Sequence, residues 1–201
     1  MSLAGLSHYF LMLMMLQVAV IRVMLQYLSD RMYDEVRGQG LTYGVSMAAS
    51  VTEGRLTLSL TRSSRLVEAF KAVQEILARY SADEDDWDET LLESAVGSIV
   101  YSWTEKEETV EDLVGQTVKA YIRGTDSKYN RDFVRALARV ELADILRTAQ
   151  RILPAFLSAD TTMTAIVCNP ASVAKIVQDF KELGIELKTY KALEDTFLAD
   201  M

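Results

Sequence analysis

An apolar period of helical spacing that ends abruptly at two glycines restricts the fold of this chain more than any other feature. Leu16, Ala19, Val20, Val23, Tyr27, Leu28, Met32 and Val36 recur every three or four residues, which lays one buried stripe along a long helix. The stripe stops at Arg37-Gly38-Gln39-Gly40-Leu41-Thr42-Tyr43-Gly44, and the residues from Leu41 to Ser50 are short, small and β-tolerant. A helix-to-strand junction is therefore expected. Gly38 and Gly40 can take positive φ and end the helix, with Arg37 in its last turn at the carbonyl end of the dipole. Leu56, Leu58 and Leu60 then alternate with Thr57, Ser59 and Thr61, so Arg55 to Arg62 reads as a second strand with one buried face. Val51-Thr52-Glu53-Gly54 is the hairpin turn between them. The helix from Ser64 to Tyr80, started by Ser63 or Ser64, supplies Leu66, Ala69, Phe70, Val73, Ile76, Leu77 and Tyr80 to cover that face.

Helices dominate the remainder. Asp83 to Glu89 is an acidic run that lacks the ligand spacing and central glycine of a calcium loop, and it suits the positive end of a helix beginning near Asp88. Thr109 is an N-cap candidate for a helix from Val110 to Ile122, with Asp112 in place of the usual capping-box glutamate and Gly124 closing it. Two further helices are expected over Asn130 to Leu137 and Glu141 to Leu153, the second stopped by Pro154. Thr161 to Cys168 reads as a strand, Ala171 to Leu183 as a helix ended by Gly184, and Ile185 to Thr189 as a last strand. The pattern is α+β: a mostly antiparallel sheet with helices packed on one face, in a single domain from residue 16 to 201. Residues 1 to 15 form an atypical N-terminal segment.

Composition removes several classes of function. With 21 basic against 29 acidic residues and a formal net charge of -8, the chain offers no electrostatic footprint for nucleic acid. Tyr9 to Leu28 approaches the roughly 20 apolar residues that a membrane-spanning helix needs. Gln17, Arg22 and Gln26 interrupt it, however, and an arginine near the centre of a span costs about 3 kcal/mol. A core helix is the expected reading, with no membrane partner. Cys168 follows Ala165-Ile166-Val167 and is expected to be a buried thiol, which suits a reducing compartment. Glu93, Glu105, Glu107 and Glu108 read as a solvated face, not as paired acid and base groups. Arg37 and Tyr43 are the residues with chemistry to offer. A guanidinium fork and a phenol six residues apart can grip a peptide carbonyl and favour the oxyanion it becomes during hydrolysis. The purely structural alternative has Arg37 paired with Asp34 or Glu35 and Tyr43 covering a sheet edge.

Arg-Gly-x-Gly-Leu-x-Tyr-Gly resembles a signature of the C-terminal half of the pitrilysin or insulinase type of zinc metallopeptidases, the inverzincins, in their large clamshell subgroup. The likeness continues through Gly54 to Arg62, the helix Leu66 to Tyr80, Glu93-Ser94-Ala95 with Ser98 to Tyr101, Thr109-Val110 and Lys128-Tyr129-Asn130. It closes with Leu153-Pro154 ahead of Phe156 and with Phe180 to Glu186, so that Leu16 to Lys188 is covered. The resemblance implies a fold of the LuxS and processing-peptidase type. It also implies a substrate-binding lobe in which Arg37 and Tyr43 act on the reacting carbonyl, Gly40 and Gly44 bind substrate, and Gln116, Lys119 and Arg123 line a chamber wall. The edge near Val45 to Ala48 would pair with an extended peptide. The zinc would belong to the N-terminal catalytic half or to a homologous subunit. The motif for it, His-x-x-Glu-His, cannot be met here because His8 is the one histidine, so this chain carries no metal site of its own and does not cut alone. Strands of the same sheet precede the long helix in the family where Met1 to Met15 stand here, which predicts an uncovered edge and self-association. Peptide substrate, an intracellular place in the cytoplasm or mitochondrion, and a non-catalytic assembly subunit of the same fold as the alternative complete the expectations.

Overall fold

The computed structural model describes residues 3–51, 53–82, 87–122, 124–125, 128–192 and 195–196, with side chains from Leu13 onward. Helix α1 spans Leu3–Met32 and passes straight into a π-helical turn, Tyr33–Arg37. Strands β1 (Gly44–Ser50) and β2 (Arg55–Thr61) form an antiparallel hairpin, followed by α2 (Leu66–Ala82), α3 (Glu89–Thr104), α4 (Val110–Ile122), α5 (Tyr129–Leu137), α6 (Leu142–Leu157) and α7 (Val173–Glu182). The described chain is thus mixed helix and sheet, mostly helical, with one two-stranded antiparallel sheet.

The apolar stripe of α1 is the centre of the core. Ala19, Val20, Val23, Met24, Tyr27, Leu28 and Met32 are buried against β1, α3, α5 and α6. Burying each large aliphatic side chain there contributes about 1.5–3 kcal/mol relative to leaving it in water. The stretch Leu13–Arg37 is long and apolar enough to cross a membrane, and half of its most apolar window is covered by the rest of the chain. Arg22 projects from this helix with its guanidinium carbon 5.7 Å from the Trp103 ring centre and 6.0 Å from that of Phe133. Beside α1, Tyr27, Tyr80 and Trp87 pack ring on ring, with centroids 4.7 to 5.8 Å apart, and the Asp88 N–H donates to the Tyr27 hydroxyl at 2.9 Å.

Ser29 ties this helix to the sheet. Its hydroxyl accepts the Met47 N–H at 2.8 Å and donates to Leu25 O at 2.7 Å. The hairpin pairs Gly44 with Thr61 and Ser50 with Arg55, and Gly54 closes the turn at φ 59°. Asp88 caps α3 by accepting from Thr90 N and Leu91 N, and Thr109 Oγ1 accepts from Asp112 N at 3.1 Å at the start of α4.

Several expectations need correction. Gly38 keeps a right-handed φ of -57°, and Gly40 alone of the pair turns left-handed, at φ 68°. The helix that covers the hairpin is chiefly α1, while α2 packs mainly on α6. Helix α6 runs through Pro154 to Leu157. Pro154 and Gln150, whose carbonyl loses its usual donor, are both exposed residues, while Leu153, Phe156 and Leu157 hold the last turn against the core. The segments Thr161–Cys168 and Ile185–Thr189 are not strands: they make no ladder with any described residue, although burial alternates along both as it would in a strand. Cys168 is half-buried, not sealed in the core, because its segment lies on the surface. Asp83 to Asp86 of the acidic run lie outside the described residues.

Candidate functional site

The junction between α1 and β1 is built by short-range bonds. Gly40 N donates to Arg37 O at 2.8 Å and Leu41 N to Val36 O at 3.3 Å, which ends the π-helical turn and reverses the chain. Leu41 and Thr42 are then buried, and two side chains staple this loop to the far end of the hairpin. The Thr42 hydroxyl donates to Thr61 O at 2.9 Å, and the Ser63 hydroxyl donates to Leu41 O at 2.7 Å. A rigid frame therefore surrounds Tyr43, whose side chain is 58% exposed.

On that frame four side chains stack. The Arg37 guanidinium carbon lies 4.5 Å from the Tyr33 ring centre and 4.9 Å from that of Tyr43. Arg62 approaches the same Tyr43 ring at 5.2 Å. Tyr33 is four residues before Arg37 on the same turn of helix, so the two share a face. Arg62 arrives because the register that pairs Gly44 with Thr61 puts it opposite Tyr43, one step beyond the ladder. Stacking a guanidinium on a phenol ring leaves the N–H groups at its rim free to donate, and it fixes their plane. The array thus gathers a phenol and two guanidinium groups at one place on the surface, groups whose chemistry suits gripping a carbonyl or an anion.

Asp34 and Glu35, the alternative partners of Arg37, do not pair with it. Glu35 is held by Arg79 at 2.8 Å, with Arg31 at 3.7 Å, and Arg31 Nε also donates to the Tyr80 hydroxyl at 2.9 Å. Burial pushes the Tyr80 phenol well above its ordinary range, and its hydrogen bond with Tyr27 adds to the rise. This second cluster is partly buried and joins α1 and the π-helical turn to α2. It leaves Arg37 to the two tyrosines.

The remaining candidates separate. Gly40 is needed for its left-handed backbone, and Gly44 for close approach, since a Cβ there would stand 2.6 Å from Thr61 Oγ1. Both glycines shape the loop beneath Arg37 and Tyr43. Gln116 lies elsewhere, in a cavity of about 240 Å³ on the α4–α5 side, with Lys119, Glu107, Asn130 and Arg131; neither Arg37 nor Tyr43 lines it. Arg123 lies outside the described residues. The β1 edge expected to receive a peptide is engaged at its middle, where the Met47 N–H is bonded to Ser29. Among the described residues no group of three or more His, Cys, Asp or Glu side chains is placed to hold a metal. Sequence reasoning missed Tyr33 and Arg62. For Tyr33 the signal was its four-residue spacing from Arg37; for Arg62 it was only the hairpin register.

No family model matches this chain, and no solved structure matches it. It is similar to an uncharacterized protein of Saccharomyces cerevisiae, YOL098C, with 20% identity over 161 residues. That alignment takes in 80% of this chain and 15% of the yeast protein, so the chain spans a small part of the length of the curated relative it matches.

Proposed function

We propose that this chain is the substrate-binding lobe of a zinc metalloendopeptidase of the pitrilysin or insulinase type, in which Arg37 and Tyr43 hold the carbonyl of the peptide bond to be cut. The observation that carries the reading is the Arg37–Tyr43 stack on an exposed, stapled junction. Two donors fixed before substrate arrives need no reorganisation when negative charge develops on the carbonyl oxygen, which is where such donors lower a barrier. On this reading the metal and the attacking water belong to a catalytic lobe, and this chain's part is to bind and polarise. The finer fold assignment, a LuxS and processing-peptidase type domain, rests on the same residue pattern.

The test is to combine this chain with a catalytic lobe bearing His-x-x-Glu-His and measure cleavage of unstructured peptides. Arg37→Ala and Tyr43→Phe are each expected to lower turnover by roughly a hundredfold, the usual effect of deleting one oxyanion donor. Wild-type turnover in both variants would reject the assignment.

A second reading, a non-catalytic assembly subunit of the same fold, is favoured by one feature. Helix α4 buries no side chain, and Val110, Leu113, Val114, Val118, Tyr121 and Ile122 form an exposed apolar stripe along it, with Tyr121 85% exposed. Such a face suits protein packing. Full stability of an Arg37→Ala, Tyr43→Ala double variant, together with unaltered assembly and no cleavage by the reconstituted wild type, would select this second reading.

A further inference from the structure

Several arginines of this chain have a carboxylate at hand. Arg31, Arg55, Arg65, Arg79, Arg135 and Arg147 are each ion-paired with an aspartate or glutamate, as expected where 29 acidic residues face 21 basic ones. Among the described residues Arg131, Arg139 and Arg151 have no such partner, and neither do Arg37 and Arg62, but those two converge on one tyrosine ring. Among the described residues neither makes an ion pair, and both lie over the Tyr43 ring, so their charges stand no more than about 10 Å apart. Two like charges held within a Debye length repel each other, and among the described residues no carboxylate is in direct contact with either. In a chain of net charge -8, this is a local positive spot on an acidic surface.

The backbone adds a second sign. Arg62 has φ 53°, the one left-handed non-glycine residue among those described. A side chain there is strained, and glycine or asparagine would hold the turn at lower cost. The conformation is imposed from both sides, since Thr61 O accepts from Thr42 and Ser63 donates to Leu41 O. The frame thus forces an arginine, at a place where arginine is poorly suited, to direct its guanidinium over Tyr43. Strain held by flanking bonds and spent on the position of one charged group is a mark of a binding site.

We propose that Arg62, together with Arg37, forms a carboxylate subsite beside Tyr43, so that the peptides taken by this lobe are those with an acidic group next to the held carbonyl. This rests on the peptide-binding reading above. A guanidinium fork matches a carboxylate with paired N–H donors, and two forks around one phenol leave room for the O–H to hold the neighbouring carbonyl. The carboxylate is either an Asp or Glu side chain or the free C-terminus of the peptide; both present the same planar anion.

The experiment uses the full chain and three unstructured peptides carrying a neutral fluorophore: an uncharged amidated one, the same with one internal glutamate, and the uncharged one with a free C-terminus. Binding is read by fluorescence anisotropy at low salt, for wild type and for Arg62→Gly. The glycine variant relieves the left-handed backbone, so it is expected to melt no lower than wild type, and Arg62→Asn serves as a second variant on the same grounds. At least one of the carboxylate peptides is expected to bind wild type about tenfold more tightly than the uncharged amide, the worth of a charge-assisted hydrogen bond. That preference is expected to vanish in Arg62→Gly and to shrink as salt is raised. Whichever arm shows it identifies the source of the anion. Equal binding of all three peptides to wild type, an unaltered preference in both variants, or no binding of any peptide would overturn the proposal. The carbonyl role fails separately: it is tested by turnover of an uncharged peptide in Arg37→Ala and Tyr43→Phe, and either result can occur without the other.

Discussion

Removing the Ser29 hydroxyl is the sharpest perturbation of the frame that presents Arg37 and Tyr43. Ser29 sits in the last turn of α1, and its Oγ accepts the N–H of Met47, a residue 7% exposed in the middle of β1. In Ser29→Ala the strand keeps its position because Val45 and Met47 remain buried against the core, but the Met47 N–H loses its partner. A buried donor left unsatisfied costs about 1–3 kcal/mol. Alanine is the better helix former by roughly 0.5 kcal/mol, which offsets part of that. The net expectation is a loss of about 1–2 kcal/mol in urea unfolding with an unchanged m-value, and faster hydrogen exchange at the Met47 amide. Ser29→Thr keeps the hydroxyl and is expected to lose only a few tenths of a kcal/mol to β-branching. If Ser29→Ala unfolds at the wild-type midpoint and the Met47 amide exchanges at its wild-type rate, the bond is not holding helix to sheet, and the stapled-frame argument loses its base.

Two other outcomes follow from the geometry. Gly40→Ala should destabilise by about 1–2 kcal/mol because φ is 68° there, whereas Gly38→Ala, at φ -57° with open space around its Cβ position, should be neutral or gain up to about 1 kcal/mol; thermal melts showing the reverse order would refute the backbone assignment. The Tyr80 phenol is held protonated above the ordinary tyrosine value, so above about pH 10 the unfolded chain releases a proton that the native chain keeps, and stability must fall as pH rises. Denaturant midpoints between pH 9 and 11 should therefore drop more steeply for wild type than for Tyr80→Phe; parallel slopes would show that Tyr80 does not titrate differently on folding.

What was legible in the sequence was whatever neighbours along the chain decide. The α1 stripe, the Gly40 reversal, the hairpin alternation and the Thr109 cap are each encoded within a turn or two, and each stands in the structure where the residues place it. Pro154 misled because its ring faces water while the side chains beside it, Leu153, Phe156 and Leu157, are fixed by distant packing partners. Thr161–Cys168 and Ile185–Thr189 misled for the opposite reason. Alternation specifies that a segment can be a strand, but a strand exists only when another segment supplies its hydrogen bonds, and no described segment does so.

The same division runs through the candidate site. Arg37 and Tyr43 could be paired on paper because one tight turn separates them. Arg62 could not, since its place depends on a four-residue hairpin loop and on a register that carries through to the Gly44–Thr61 pair. A shift of one residue in that register would turn Leu56, Leu58 and Leu60 toward solvent, so the packing of those leucines against the core is what fixes Arg62 opposite Tyr43. The charge pattern of the site is therefore set by the apolar pattern of the strand beneath it. For that reason a substitution that weakens the leucine face, such as Leu58→Thr, acts on Arg62 before it acts on Arg37, which is anchored by its own helix.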